Sequence, residues 1–299
     1  MQYDFVDDFC DCSAADLYIT KHFHPHNENN SHTDDAKLTV LRIYYEERHP
    51  NTVSDEVKLY CKMSSDRRRF DLPSSEEVLH CQIVVTTLSM SSHLVRLGLH
   101  GKFSHIFLDE AGQALECEAI TPLVLAVPST CVVLSGDHKQ MSPTVYCQKA
   151  IQNKLHISSL ERLFLHYKRL NLLSCNTVML YQNYRTCKEI LDFLSATFYQ
   201  LPDCSLVPSR GHGTLAEHKA LSFYCTEGSE EKEDDDWSYF NMAEVEEVTQ
   251  VVENFATTVP PQDICVVSYY SSQASIMSLP HLVLYRYSLV ALAYNLFSY

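Results

Sequence analysis

Four short apolar runs, each continuous rather than alternating, constrain this chain most: QIVVTTL (82–88), HIFLDEA (105–111), CVVLSGD (131–137) and DICVVSYY (263–270). Continuous apolar, β-branched runs are what strands buried on both faces of a parallel sheet require. A fifth run at 176–185, NTVMLYQNYR, is a further strand candidate. Between the runs lie helix-like stretches at 115–126, at 158–167 with Leu160, Leu163, Phe164 and Tyr167 on one face, and at 241–255 with Val245, Val248, Val252 and Phe255 in one stripe. Strands alternating with helices predict an α/β architecture with mainly parallel sheets. At 299 residues the chain is long enough for two domains, each with its own core. Residues 22–71 read as a polar, His-rich insertion with one helix around 54–62.

Charge narrows the function classes. A formal net charge of −15 is the wrong sign for a protein that grips nucleic acid through a broad basic surface, so any such contact must be local. Residues 227–236, EGSEEKEDDD, place seven carboxylates against one lysine and read as a solvated loop. The twelve cysteines follow no regular spacing, and the N-terminus has no basic start leading into an apolar run, so reduced thiols in the cytoplasm, or in the nucleus, are expected. The apolar tail 279–299 is barely of membrane-spanning length and contains Arg286 and several tyrosines. It reads as a buried or aberrant terminus, with no membrane association expected.

Three polar motifs sit where parallel sheets place ligand-binding groups, at the carboxyl ends of strands. In HIFLDEAGQ (105–113) the strand ends in Asp109 and Glu110. An aspartate there can hold Mg2+ while the adjacent glutamate orients and deprotonates an attacking water, as nucleoside-triphosphate hydrolysis requires. A bare Asp-Glu pair after a strand is also an ordinary structural feature. In LSGDHKQMSP (134–143) Gly136 permits a tight exit from the strand, and Gln140 offers both a donor and an acceptor; alone the motif equally fits a Gly-Asp turn. In QNYR (182–185) Arg185 suits charge building on a γ-phosphate, although a lone arginine is usually a salt-bridging surface residue.

Taken in order, DEAGQALECEAITPL, GDHKQMSP, ISSLERLF and QNYRTCKEIL resemble the Upf-like branch of superfamily 1 helicases. The ECEAITP continuation, DLYI (16–19) and LRIYY (41–45) resemble the helicase with zinc finger subgroup, and the likeness runs over 12–273. The resemblance implies two RecA-like domains of P-loop NTPase type, parallel-sheeted and both incomplete: 1–170, with the His-rich insertion at about 22–75, and 171–299, with a cleft between them for ATP. It implies ATP and Mg2+ as cofactors, with Asp109 on Mg2+, Glu110 on the attacking water, Gln140 on the γ-phosphate and Arg185 reaching that phosphate from the second domain. Gly136, Asp137, Gln182 and Tyr184 fall in the same nucleotide-binding motifs. Ser13 and Ala14 match one nucleic-acid backbone contact, Thr86 and Thr87 a second, and Pro143 lies in the implied contact set. VSYYSSQ (267–273) resembles a Thr-Pro-Tyr-x-x-Gln element, with Ser268 in the threonine position and Tyr269 beside it. The implied activity is ATP-driven translocation along, and unwinding of, single-stranded or duplex RNA, with DNA as the alternative polymer and RNA-decay or translation factors as partners. Hydroxyls at strand ends touch phosphates without reading bases, which suits an acidic chain.

The departures are equally definite. The chain has seven glycines and no Gly-Lys-Thr or Gly-Lys-Ser loop to cradle phosphates, and no later Arg-rich motif follows Gln273. The expectation is therefore a helicase core cut at both ends, or a catalytically inactive derivative that binds RNA or protein. Two constellations remain open. Cys10, Cys12, His22, His24 and His26 fit either a metal site of irregular spacing or plain surface histidines. Arg67, Arg68 and Arg69 fit either a nucleic-acid contact or a solvated turn.

Overall fold

The structure is a computed structural model of the chain and describes residues 16, 19–24, 39–184, 186–199, 207–208, 222–232, 238–260, 264–277 and 290–292. Two compact units divide it, Met1–Leu180 and Tyr181–Tyr299. Both are mixed α/β, built on small and mostly parallel strand pairs.

The first unit begins at a π-helical turn, Ile19–Phe23, and strand β1, Val40–Arg42. Short helices α1 (Asp55–Lys58) and α2 (Ser75–Leu79) follow. Ser54 caps α1 through the Val57 amide, and Ser74 with Glu77 forms a reciprocal capping box on α2. Strand β2 (Ile83–Val85) runs parallel to β1 with Val40 opposite Ile83. On the other side of β1 a parallel bridge joins Arg42 to Cys61. The alternation of a strand sorts the β1 segment cleanly. Val40 and Tyr44 enter one core with Ile19, Val53, Val57 and Phe70, whereas Leu41 and Ile43 enter a second with Val78, Leu94, Leu99 and Leu125. Residues 39–75 therefore supply a central strand and half a core. The expected polar insertion is not what these residues form, because LTVLRIYY carries apolar side chains on both faces, a signal outweighed in the reading by the surrounding histidines and charges.

Helix α3 (Ser91–Arg96), strand β3 (His105–Leu108), helix α4 (Glu116–Leu123) and strand β4 (Cys131–Leu134) complete the part that carries the site. Strands β3 and β4 pair in parallel, His105 opposite Cys131 through Leu108 opposite Leu134. Beyond them lie α5 (Gln148–Gln152), α6 (Ser159–Arg169) and α7 (Leu173–Asn176). The stripe foreseen on α6 is half-buried, with Leu160 packed beside Leu108, Ala111 and Ala119. Burial of the strands differs from expectation: Phe107 is 70% exposed, and Val132 and Val133 are also open. Among the described residues β3 and β4 pair only with each other, and no further strand or helix covers every face of their continuous apolar runs.

The second unit contains β5 (Gln182–Asn183), α8 (Lys188–Phe198), β6 (Val207–Pro208), the antiparallel pair β7 (Glu231–Lys232) and β8 (Tyr239–Phe240), α9 (Met242–Ala256), β9 (Val266–Ser268), α10 (Ser271–Met277) and β10 (Val290–Leu292). The fifth candidate strand shrinks to β5, because 173–176 is helical and Val178 and Leu180 are 88% and 84% exposed, so no partner pairs that stretch. Helix α9 follows its predicted stripe, with Val245 and Val252 buried. Gln273 on α10 is buried and accepts the Asn241 amide at 2.7 Å, tying α10 to the start of α9, which Asn241 itself caps. Most of the acidic stretch beyond Lys232 and most of the tail 279–299 lie outside the described residues. Among the described residues no helix is long and apolar enough to cross a membrane.

Candidate functional site

The strand register builds the site in the first unit. Because Leu108 stands opposite Leu134, the next residues, Asp109 and Ser135, leave their strands side by side. The Ser135 hydroxyl donates to Asp109 Oδ1 at 2.7 Å, and the ladder continues through Ser135 N to Leu108 O and Ala111 N to Ser135 O, each 2.8 Å. The chain then turns sharply. Glu110 has φ +49°, its amide donates to Asp109 Oδ1 at 3.1 Å, and its Oε2 accepts Gln113 Nε2 at 3.2 Å.

The loop after β4 interlocks with this one. A Cβ on Gly112 would lie 2.7 Å from the Asp137 carbonyl oxygen, and a Cβ on Gly136, at φ +147°, would lie 3.0 Å from the amide nitrogens of Ala111 and Gly112. Glycine is needed at both places so that two backbones can touch. Asp137 then organises its own turn, Oδ1 accepting the Lys139 amide at 2.8 Å and Oδ2 accepting Gln140 Nε2 at 3.0 Å. His138 packs on Phe164 of α6 with ring centroids 4.4 Å apart, and burial, aided by Lys139, lowers its pKa below 6.5. Arg162 of α6 donates through Nε to Glu116 of α4 at 2.8 Å. Ala111 and Ala119 are buried beneath the loops.

The pair of strand tips therefore presents exposed Asp109, Glu110 and Gln140, with half-buried Asp137 beneath its own turn, from one interlocked platform. Its donors are hard oxygens, the set Mg2+ prefers. Among the described residues no group of three or more His, Cys, Asp or Glu side chains forms a metal cage. Mg2+ at phosphate sites is commonly held by one or two carboxylates, with water and substrate phosphates as its other ligands. Asp109 and Glu110 are the residues that could hold it.

The remaining expected residues are distributed as follows. Thr86 and Thr87 follow β2 and are half-buried, with the Thr87 hydroxyl accepting the Met90 amide at 3.3 Å and its carbonyl accepting the Ser91 amide at 3.0 Å. Pro143 is buried at the end of the loop after β4. In the second unit Tyr184 is exposed and donates to Gln182 Oε1 at 3.0 Å, while Ser268 and Tyr270 exchange hydrogen bonds of 3.3 Å around exposed Tyr269. Ser13, Ala14 and Arg185 lie outside the described residues, as do Cys10, Cys12 and His26. The sequence reading singled out neither Ser135 nor Gln113, the two side chains that hold the acidic pair. Ser135 was detectable as the polar residue one place beyond an apolar strand, but its role depends on the β3–β4 register, which no single strand reveals.

Parallel strands whose carboxyl ends carry adjacent acidic and amide side chains on a glycine-tight platform are the arrangement that nucleotide-binding α/β folds share. Two family models, each described as an AAA domain, match residues 15–148 and 155–281. The mouse protein described as "Probable helicase with zinc finger domain" is 39% identical over 242 residues, 81% of this chain and 12% of that protein. Its namesake in Danio rerio is 39% identical over 270 residues, 87% of this chain and 14% of that one. The mouse 3'-5' exoribonuclease HELZ2 is 35% identical over 266 residues, 86% and 9% respectively. The chain thus spans about a seventh or less of these relatives' length. It belongs to the Upf-like group of superfamily 1 helicases, alongside the helicases with zinc finger domains.

Proposed function

We propose that the chain is the ATPase core of a helicase acting on RNA, with DNA as the alternative substrate, built from two RecA-like domains. The observation that carries the reading is the platform itself, with Asp109–Glu110 and Asp137–Gln140 at the tips of adjacent parallel strands. Bound Mg2+ and ATP supply the phosphoanhydride and the charge neutralisation that its cleavage requires. Asp109, oriented by Ser135, holds the cation side of the site. Glu110, oriented by Gln113, accepts the proton of the attacking water. Gln140, positioned by Asp137, donates toward the terminal phosphate, and Arg185 adds positive charge there. Thr86, Thr87, Ser13, Ala14, Ser268 and Tyr269 hold the nucleic-acid backbone, and cycles of hydrolysis move those grips along it. A cytoplasmic setting, with RNA-decay or translation factors as partners, completes the proposal.

A second reading has its own observation. The 299 residues contain no Gly-Lys-Thr or Gly-Lys-Ser loop, so they fit equally a nucleic-acid-binding derivative without turnover. ATP hydrolysis with and without single-stranded RNA, on the protein and on Glu110→Gln, separates the two. An RNA-stimulated rate that drops by about 10²-fold or more in the variant supports the motor. Equal rates in both proteins reject it and leave the binding module.

A further inference from the structure

We propose that the turn Asp66–Arg69 is a second phosphate-binding element, which extends the track begun by Thr86 and Thr87 along one edge of the β1–β2 sheet; this rests on the nucleic-acid reading above. The topology places the two together. Arg42 of β1 bridges in parallel to Val85 on one side and to Cys61 on the other. All three segments run in the same direction, so the chain leaving Val85 into Thr86 and the chain leaving Cys61 into Lys62 emerge at the same carboxyl edge. From there residues 62–71 form a hairpin, with an antiparallel bridge between Met63 and Phe70, Asp71 N donating to Lys62 O at 2.9 Å and Ser64 N donating to Arg69 O at 3.1 Å.

The tip is built rather than slack. The Ser64 hydroxyl donates to Asp66 Oδ1 at 2.7 Å, the Arg68 amide donates to the same oxygen at 3.1 Å, and Arg67 adopts φ +57° at the apex. These bonds hold the Asp66 carboxyl below the usual carboxylate range and occupy it within the turn. The base of the hairpin is secured by Phe70, which is buried against Tyr44 with ring centroids 4.7 Å apart. Arg69 lies 3.4 Å from Asp71. Arg67 and Arg68 are exposed and join no ion pair among the described residues, so two guanidinium groups project from a rigid apex on a chain whose net charge is −15. In such a chain a local pair of forked donors beside a row of strand-end hydroxyls suits the phosphodiester backbone of a single strand, which it grips without reading bases.

The test is fluorescence anisotropy with a labelled oligouridylate of about 20 nucleotides and the matching DNA strand, over a salt series, on the full chain, Arg67→Gln/Arg68→Gln and Arg67→Lys/Arg68→Lys. Loss of two phosphate contacts lowers the slope of log K against log salt by about 1.4 and weakens binding about tenfold near 0.1 M salt, and the lysine variant restores the slope. A parent that binds with the glutamine variant equal to it in affinity and slope overturns the turn's role and leaves the nucleic-acid reading standing. A parent that binds neither strand overturns both. Arginine-dependent binding of polyglutamate as tight as that of RNA overturns the phosphate assignment in favour of an acidic polypeptide.

Discussion

Glu110 holds a left-handed backbone at φ +49°, where a non-glycine residue stores on the order of 1–3 kcal/mol. Strain kept at the residue proposed to activate water is expected where geometry serves chemistry. Glu110→Gly should therefore raise the urea midpoint, by an amount equivalent to about 1 kcal/mol after the glycine entropy is subtracted, while removing RNA-stimulated hydrolysis. A variant that is both destabilised and inactive would show that the backbone is not strained. His138 provides a second residue-level expectation. Its folded pKa lies below 6.5 because burial against Phe164 disfavours the charged ring. The unfolded chain consequently takes up the proton first as pH falls, so this packing stabilises fully above about 6.5 and loses its contribution as pH drops toward the lower folded value. The melting-temperature difference between the parent and His138→Gln should be larger at pH 7.5 than at pH 5.5; an unchanged difference would place the ring in water.

Among the elements, β1 contributes side chains to two cores of the first unit. Its Arg42 is buried, donates from Nε to Asp16 Oδ1 at 2.9 Å and stacks 4.1 Å from the Tyr44 ring centroid. The strand thereby fixes residue 16, two places beyond Ala14 in sequence. Arg42→Met leaves a buried carboxylate without its guanidinium and should cost about 3–5 kcal/mol in urea unfolding, much of it regained by adding Asp16→Leu. Failure of the second change to rescue would mean that the pair is not a closed unit. This ion pair was invisible in sequence, since Asp16 and Arg42 are separated by a charged, His-rich stretch, whereas β2, β3, β4, α6 and α9 were legible because each carries an unbroken apolar run or a stripe of helical period. The 176–185 run forms a strand only at Gln182–Asn183, because an apolar run shows only that a segment prefers burial, and not that a partner is present to bury it. At the candidate site, Asp109, Glu110, Asp137 and Gln140 were legible from position after strands, while Ser135 became significant only once two strands were set in register, and Gln113 only once the turn at Glu110 was formed.

For the molecule as a whole, charge and structure act in opposite directions on salt. A net charge of −15 repels itself, so the melting temperature should rise as ionic strength goes from about 0.01 M to about 0.15 M and the screening length falls from about 30 Å to about 8 Å. Oligonucleotide affinity should fall over the same interval. An affinity that does not fall with salt would assign the binding to something other than local cationic contacts. Gly112 and Gly136 each occupy the space a side chain on the other loop's partner would need, so either position alone admits no methyl group without moving the opposite backbone. The two loops are thus mechanically coupled: a side chain introduced in one must displace the backbone of the other, even though the two positions lie far apart in sequence.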